Sequence, residues 1–286
     1  TVPMVLGLVL SVAYYRAFDF FWFLVSLVGV YLIEIGKNAV NECVDYLSGV
    51  DLSVDSTHRT DFSGGKKAIV DGLLTVKQSA AIAVVTLGAA ALIGLYVVYF
   101  RETRVLFVGL AGFLISIIYS IPPIKLCYRG LGELAIGITF GPLVLNGMFL
   151  ALAQRFELLP LLVSIPVGIL ITNVIWINQF PDYEADKACN KKNWVVRLGK
   201  PRACRIYALL FLLNYLAIAA IAVYTVNPVW LIGLLTIPKA VAASKNCAVN
   251  YDNISKLIGS NAATIQIYIL TGILLSVAAL LDGLLI

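Results

Sequence analysis

The chain has 286 residues, of which 60% belong to the apolar AVILMFWYC set and only 13% are charged, with a net charge of +5 and a mean hydropathy of +0.93. Soluble globular domains carry about 25% charged residues, so this composition argues against a soluble enzyme and for an integral membrane protein. Five cysteines without a C-x-x-C pair argue against a disulfide scaffold, and the lone His58 argues against an imidazole-built metal site or a Ser-His-Asp triad.

Apolar runs bounded by polar clusters predict nine transmembrane helices around residues 2–15, 20–46, 79–100, 105–119, 132–153, 158–180, 208–226, 228–243 and 261–286. The expected fold is therefore all-α, an integral membrane bundle. The first run is short, and the chain opens with Thr rather than Met. No small-residue cleavage site follows it, so it is expected to be a transmembrane helix whose N-terminal end lies outside this sequence, not a signal peptide. Gly141-Pro142 is expected to kink the fifth helix and open space beside a pocket.

The connections are unequal. Those after the second, fourth and sixth helices (about 47–78, 120–131 and 181–207) are long and charged, whereas the others are short. Arg16, Arg101, Arg104 and Arg155 are the only basic residues on the short-loop side, out of 21 in the chain. The positive-inside rule then makes the long loops cytoplasmic, in a multi-pass protein of the plasma membrane. The net positive charge belongs to this asymmetry and is no nucleic-acid footprint; Lys191-Lys192 suits anionic lipid headgroups.

Charged groups within apolar spans cost free energy, so their positions are informative. Helix 2 ends with Asn41, Asp45 and Tyr46; helix 6 ends with Asn178, Asp182 and Tyr183. Both read N-x-x-x-D-Y, 137 residues apart, which points to an internal duplication or to twin sites, with halves near 1–131 and 132–286 of a single domain. Spacing of four places each Asn and Asp on one helical face. The second copy continues to Asp186, and the first passes Gly49 to reach Asp51. Two carboxylate clusters at one mouth of a bundle suit a hard cation such as Mg²⁺, which takes one or two carboxylates plus water and substrate phosphate. The loops add Arg59, Lys66, Lys67, Lys125, Arg129, Lys191, Lys192 and Arg197. Carboxylates, Mg²⁺ and basic loops together describe a diphosphate clamp. Lys37 is expected either to snorkel or to pair with Glu34 three residues earlier, or else to touch the site.

At these motifs the sequence resembles the UbiA superfamily of intramembrane prenyltransferases, and within it the branch that prenylates 1,4-dihydroxy-2-naphthoate in menaquinone synthesis. The matching segments are NECVDYLSGVD (41–51), VDGLL (70–74), YSIPP (119–123), GLGELAIGITFGP (130–142) and NQFPDYEADKACNKKNWVVRLG (178–199). Asn190 and Asn193 stand where the family has glycine and threonine, and the Arg-Pro usual at the start of the first helix is absent. The resemblance implies a nine-helix bundle around a central cavity capped by the long loops. It implies Mg²⁺ held by Asp45, Asp51, Asp182 and Asp186, with Asn41 and Asn178 ligating or orienting that shell. It further implies Lys125 and Arg197, with Arg59 and Lys67, neutralising the diphosphate, and Tyr119 facing the allylic carbon. The expected reaction is transfer of a polyprenyl group, geranylgeranyl or similar, to an aromatic quinone precursor. Two alternatives stay open: an ether-lipid enzyme with geranylgeranylglyceryl phosphate as acceptor, and a membrane transporter, for which duplicated halves and polar residues in spans are also common.

Overall fold

A computed structural model describes residues 1–54 and 67–285. Twelve helices are distinguished among them: α1 Val2–Tyr15, α2 Phe20–Leu47, α3 Val76–Phe100, α4 Val105–Ile118, α5 Gly132–Ile138, α6 Val144–Ala153, α7 Leu158–Asn178, α8 Tyr183–Ala188, α9 Trp194–Leu198, α10 Lys200–Thr225, α11 Ile237–Asn250 and α12 Ile254–Gly283. No strand occurs among the described residues. Each predicted apolar run is helical over most of its length. Among the described residues, six segments are long and apolar enough to cross a membrane: α2, α3, α5 through α6, α7, α10 and α12. The apolar α1 and α4 are shorter, at 14 residues each.

Local chemistry sets the helix ends. Asp19 caps α2 by accepting from the Trp22 amide, and Thr75 with Gln78 forms a reciprocal capping box on α3. The expected kink at Gly141-Pro142 is a π-helical turn over Thr139–Leu143 that joins α5 to α6. Proline cannot donate to the helical ladder, and a π turn absorbs the missing bond. Two helices begin about two turns earlier than hydropathy predicted. α10 starts at Lys200 because Gly199, at φ 76°, breaks the chain just before it and Pro201 suits a first turn. α12 starts at Ile254, capped by Asn253, although its first turns are polar. The run from Pro228 is a 3₁₀ helix as far as Thr236 and α-helical only beyond.

Many leucines and aromatics on α2, α3, α4 and α10 stay exposed, including Leu92, Tyr99, Phe107 and Leu212, as expected of faces that meet lipid. Two of the apolar clusters in the interior are large. One gathers Leu6, Leu10, Phe149, Trp230 and Leu275; the other gathers Trp176, Phe180, Tyr207, Phe211 and Leu257 around the ends of α7 and α12. Where α5 and its π turn cross α7, glycines allow the backbones to touch. A Cβ on Gly168 would stand 2.7 Å from the Gly137 carbonyl oxygen, and one on Gly141 would stand 2.8 Å from the Gly168 Cα. Small residues at helix contacts are the usual route to tight packing in a membrane, where no hydrophobic gain draws helices together. This crossing fixes the C-terminal end of α7, and with it the second Asp motif, beside α5.

Candidate active site

The ends of α2 and α7 open on a cavity of about 770 Å³. Its mouth is polar, with Asn41, Asp45, Asn178, Gln179, Asp182, Asp186, Lys191 and Asn193; its deeper walls include Tyr119, Ile136, Phe140, Ile171 and Ile175. A narrower apolar groove of about 140 Å³, lined by Gly29, Gly94, Gly112, Gly147 and Met148 among others, meets it at Glu34 and Phe140.

Asp45 is buried, at 2% exposed, and every oxygen of its carboxylate is engaged. Oδ2 accepts from Asn41 Nδ2 at 2.9 Å and from Lys191 Nζ at 3.1 Å. Oδ1 accepts from the Tyr128 hydroxyl at 2.8 Å. Asn41 is held in turn by the Ser120 hydroxyl, 2.7 Å from its Oδ1. The spacing of four that put Asn41 and Asp45 on one face thus ends in a direct hydrogen bond. On the other motif, Asp186 Oδ2 accepts from Asn193 Nδ2 at 2.7 Å, while Oδ1 faces Lys191 Nζ at 3.6 Å. A single ammonium group therefore sits between the first motif and the second. Asp182 lines the same cavity, and Asn178 accepts from Asn261 at 2.9 Å. Asp51 lies on the 3₁₀ turn after α2, buried and paired with Lys67 at 3.4 Å. Ser53 of that turn contacts Cys189 at the end of α8, with 3.4 Å between Oγ and Sγ.

The crowding of carboxylates shows in their acidity. Burial pushes Asp51 up to about 6, helped by the charge of Asp45 and opposed by Lys67. Burial likewise raises Asp186 to about 7, with Lys191 pulling down and Asp182 and Asp45 pushing up. Burial works against the charge of Lys191, yet Asp186 and Asp45 hold it well above the ordinary lysine range. Burial, more than mutual repulsion, sets both values, and a cation bound beside these carboxylates would favour their ionised forms.

Loop backbone makes this arrangement possible. Asn190 sits at φ 58°, a left-handed conformation that glycine and asparagine tolerate best. Asn193 caps α9 by accepting from the Val196 amide at 2.8 Å and uses its amide group to donate to Asp186, the two tasks of a capping and a positioning residue. Glu133, buried at the start of α5, accepts from Gln179 at 3.0 Å and from the Trp194 amide at 2.9 Å, which locks the end of α7 to the loop bearing Lys191.

The remaining predicted residues divide. Tyr119 lines the cavity. Lys125 is half-buried with its Nζ 4.5 Å from the centre of the Tyr128 ring, so it stands one ring away from Asp45. Arg197 is exposed and bonds the carbonyls of Lys192 at 2.8 Å and Arg129 at 2.9 Å, tying two loops together outside the cavity lining. Arg59 lies outside the described residues, as do Lys66 and His58. Sequence reasoning named Lys191 only as one of several loop cations and missed Tyr128, Ser120 and Glu133. None of these belongs to a repeated motif; the one signal for Lys191 was its place in the second Asp-rich segment.

Among the described residues, no group of three or more Asp, Glu, His or Cys stands close enough to cage a metal alone. The donor set nonetheless fits Mg²⁺ bound jointly with a phosphate, since that ion needs only one or two carboxylates from the protein. Lys191 already marks a point where Asp45 and Asp186 share one positive charge.

Comparison with known proteins gives the family. Residues 1–253 match the UbiA prenyltransferase family. The 1,4-dihydroxy-2-naphthoate octaprenyltransferase of Bacillus subtilis is 28% identical over 282 residues, 98% of this chain and 88% of that protein. The 2-carboxy-1,4-naphthoquinone phytyltransferase of Synechocystis is 30% identical over 171 residues, 59% of this chain and 55% of that protein. Among solved structures, a UbiA homolog from Aeropyrum pernix superposes with a TM-score of 0.71 at 16% identity, covering 96% of this chain and 95% of that one. A UbiA homolog from Archaeoglobus fulgidus bound to DMAPP and Mg²⁺ superposes with a TM-score of 0.66 at 14% identity, covering 93% of each chain. With its multi-pass helices and two Asp motifs on one cavity, the chain belongs to the UbiA prenyltransferase family and is a membrane prenyltransferase.

Proposed function

We propose that this protein transfers a polyprenyl group from an allylic prenyl diphosphate to an aromatic quinone precursor of the 1,4-dihydroxy-2-naphthoate kind, releasing diphosphate. The observation that carries the reading is the meeting of Asp45 and Asp186 on one ammonium group at the polar mouth of a cavity with apolar walls. The named activities of the Bacillus and Synechocystis relatives support the acceptor class, and the DMAPP and Mg²⁺ of the Archaeoglobus homolog support the donor and the metal.

In this reading Asp45, Asp51, Asp182 and Asp186 hold Mg²⁺, with Asn41 and Asn178 orienting that shell. When bound, Mg²⁺ supplies Lewis-acid neutralisation of the leaving diphosphate. Lys191, held between Asp45 and Asp186, is placed to stabilise the negative charge that builds on the departing oxygen as the C1–O bonding pair passes to the diphosphate. Lys125 and Lys67 supply further positive potential near the mouth, and Arg197 adds to it from the loops outside the lining. The C1–O bond breaks to give an allylic cation, the acceptor carbon adds to C1, and the ring loses a proton, so one acceptor hydrogen and one diphosphate leave for each C–C bond formed. Ile136, Phe140, Ile171 and Ile175 keep water from quenching the cation, and Tyr119 presents an aromatic face to it. The prenyl tail, as apolar as lipid, takes the groove past Gly29, Gly94 and Gly112 and reaches the bilayer. The catalytic mouth opens toward the cytoplasm of a plasma-membrane protein, on the side carrying most of the basic residues.

The test is turnover of labelled geranylgeranyl diphosphate by the purified protein with aromatic and glycerol-phosphate acceptors, read by product mass. A prenylated naphthol is expected, dependent on Mg²⁺ or Mn²⁺ and abolished by Asp45→Ala or Asp182→Ala in protein that still purifies. A fully active Asp45→Ala/Asp182→Ala double variant, or turnover that persists in chelator, would overturn the reading.

A further inference from the structure

Two basic side chains line the main cavity among the described residues, and only one of them is at the mouth. Lys191 belongs to the carboxylates there. Lys37 stands eight residues before Asp45 on α2, about 12 Å deeper along the helix axis at 1.5 Å per residue. Its side chain is 13% exposed. One carboxylate oxygen, Glu34 Oε1, lies 3.1 Å from its Nζ, and the Asn38 side chain donates to the same oxygen at 3.2 Å. The Tyr119 and Phe140 ring centres lie 5.7 and 5.8 Å from the ammonium.

An ion pair of this kind within a span adds little or no net stability, because desolvation cancels the Coulombic gain. Pairing with Glu34 therefore leaves the charge unexplained. An ammonium group has three N–H donors, and the bond to Glu34 uses one. A prenyl diphosphate has a single anionic end, and on the function proposed above that end belongs at the Asp45–Asp186 mouth. Its tail carries nothing a cation would bind. A positive charge deeper in the cavity, flanked by two aromatic rings, thus calls for a second anion that is part of a flat, apolar molecule.

We propose that Lys37 is the acceptor anchor: it binds the carboxylate of an aromatic acid whose ring packs against Tyr119 and Phe140. This rests on the prenyl-transfer reading and adds to it a requirement for an anionic substituent on the ring. Tying that substituent to α2 fixes which ring edge faces the mouth, and hence which carbon meets C1 of the donor. Lys37 acts as a specificity-determining residue, with Glu34, itself held by Asn38, positioning its ammonium group.

The test compares 1,4-dihydroxy-2-naphthoate with its carboxamide as acceptors for the wild-type protein, Lys37→Met and Lys37→Arg, with KM measured separately for acceptor and donor. The wild type is expected to prefer the carboxylate. Lys37→Met should raise the acceptor KM by about 10- to 100-fold, the loss of one charge-assisted hydrogen bond, erase the preference, and leave the donor KM unchanged; Lys37→Arg should keep the preference. A wild type that treats the two acceptors alike overturns the proposal without any variant, so misfolding of Lys37→Met cannot shield it. An equal rise in donor and acceptor KM in Lys37→Met also overturns it. A wild type that prenylates neither ring overturns the transfer reading as well, which separates the two failures.

Discussion

At the level of single residues, the site is governed by buried, shared charge. Lys191 bridges two buried carboxylates, and removing one partner of a buried pair costs about 3–5 kcal/mol. Lys191→Met should therefore lower the melting temperature of the metal-free protein by several degrees, with added Mg²⁺ restoring part of it. Unchanged melting would mean that the ammonium is not a structural partner of Asp45 and Asp186. The raised acidities of Asp51 and Asp186 predict a pH dependence with a definite sign. Their protonated forms are favoured by the fold, so the stabilisation is complete below the ordinary value of 3.8 and is lost as pH climbs through about 6 for Asp51 and about 7 for Asp186. Metal binding needs the ionised forms. The melting shift produced by Mg²⁺ should accordingly grow between about pH 5 and pH 8, and a shift that stays flat across that range would contradict the assignment of these carboxylates to the cation.

The next scale is that of the helices and the loop after α7. Asn193 both caps α9 and steadies Asp186. Asn193→Ala should cost about 1 kcal/mol in the cap alone and lower kcat through the freed carboxylate. Asn193→Thr retains an oxygen for the cap and a hydroxyl donor for Asp186, and should recover most activity; equal loss in both variants would leave the cap without a role in positioning Asp186. The crossing of α5 with α7 is set by glycine. Gly168→Val would place carbon against the Gly137 carbonyl and the Gly141 Cα, an overpacking worth about 1–3 kcal/mol. Because Asp182 and Asp186 follow directly from α7, that variant should lose transfer activity as well as thermal stability. Full activity at normal melting temperature would show that the crossing can shift without moving the second motif.

Over the whole molecule, the polar chemistry and the structural anchoring occupy opposite ends. Far from the cavity, Asp282 at the end of α12 accepts from the Tyr14 hydroxyl, from Asn227 Nδ2 and from Trp230 Nε1, drawing α1, the 3₁₀ run and α12 together. This carboxylate is satisfied by neutral donors and lines neither cavity. Asp282→Ala should therefore lower thermal stability by about 2–4 kcal/mol, as expected for stranding buried hydrogen-bond donors, while leaving both KM values of the folded protein unchanged. A change in either KM would mean that the anchored end communicates with the mouth. Arg101 serves the same end by capping the C-terminal carbonyls of α6, with bonds of 2.8 and 2.9 Å to Ala151 and Leu152.

Much of this was legible in the residues alone, for a physical reason. Helix formation and membrane partition depend on local composition and a 3.6-residue period, so the apolar runs, the kink at Gly141-Pro142 (though not its π-helical form) and the shared face of Asn41 and Asp45 could be read directly. The pairing of Lys37 with Glu34 is of the same local kind. What periodicity cannot show is which distant faces meet. The convergence of Asp45 with Asp186 depends on glycine-mediated packing of α5 on α7 and on a left-handed Asn190 that turns the loop back. Only that packing singles out Lys191, among the described loop cations of equal formal charge, as the one lying between both motifs, and only it withdraws Arg197 to the carbonyls of two loops. Charge type is written in the sequence, but its partner is chosen by contacts between segments more than a hundred residues apart.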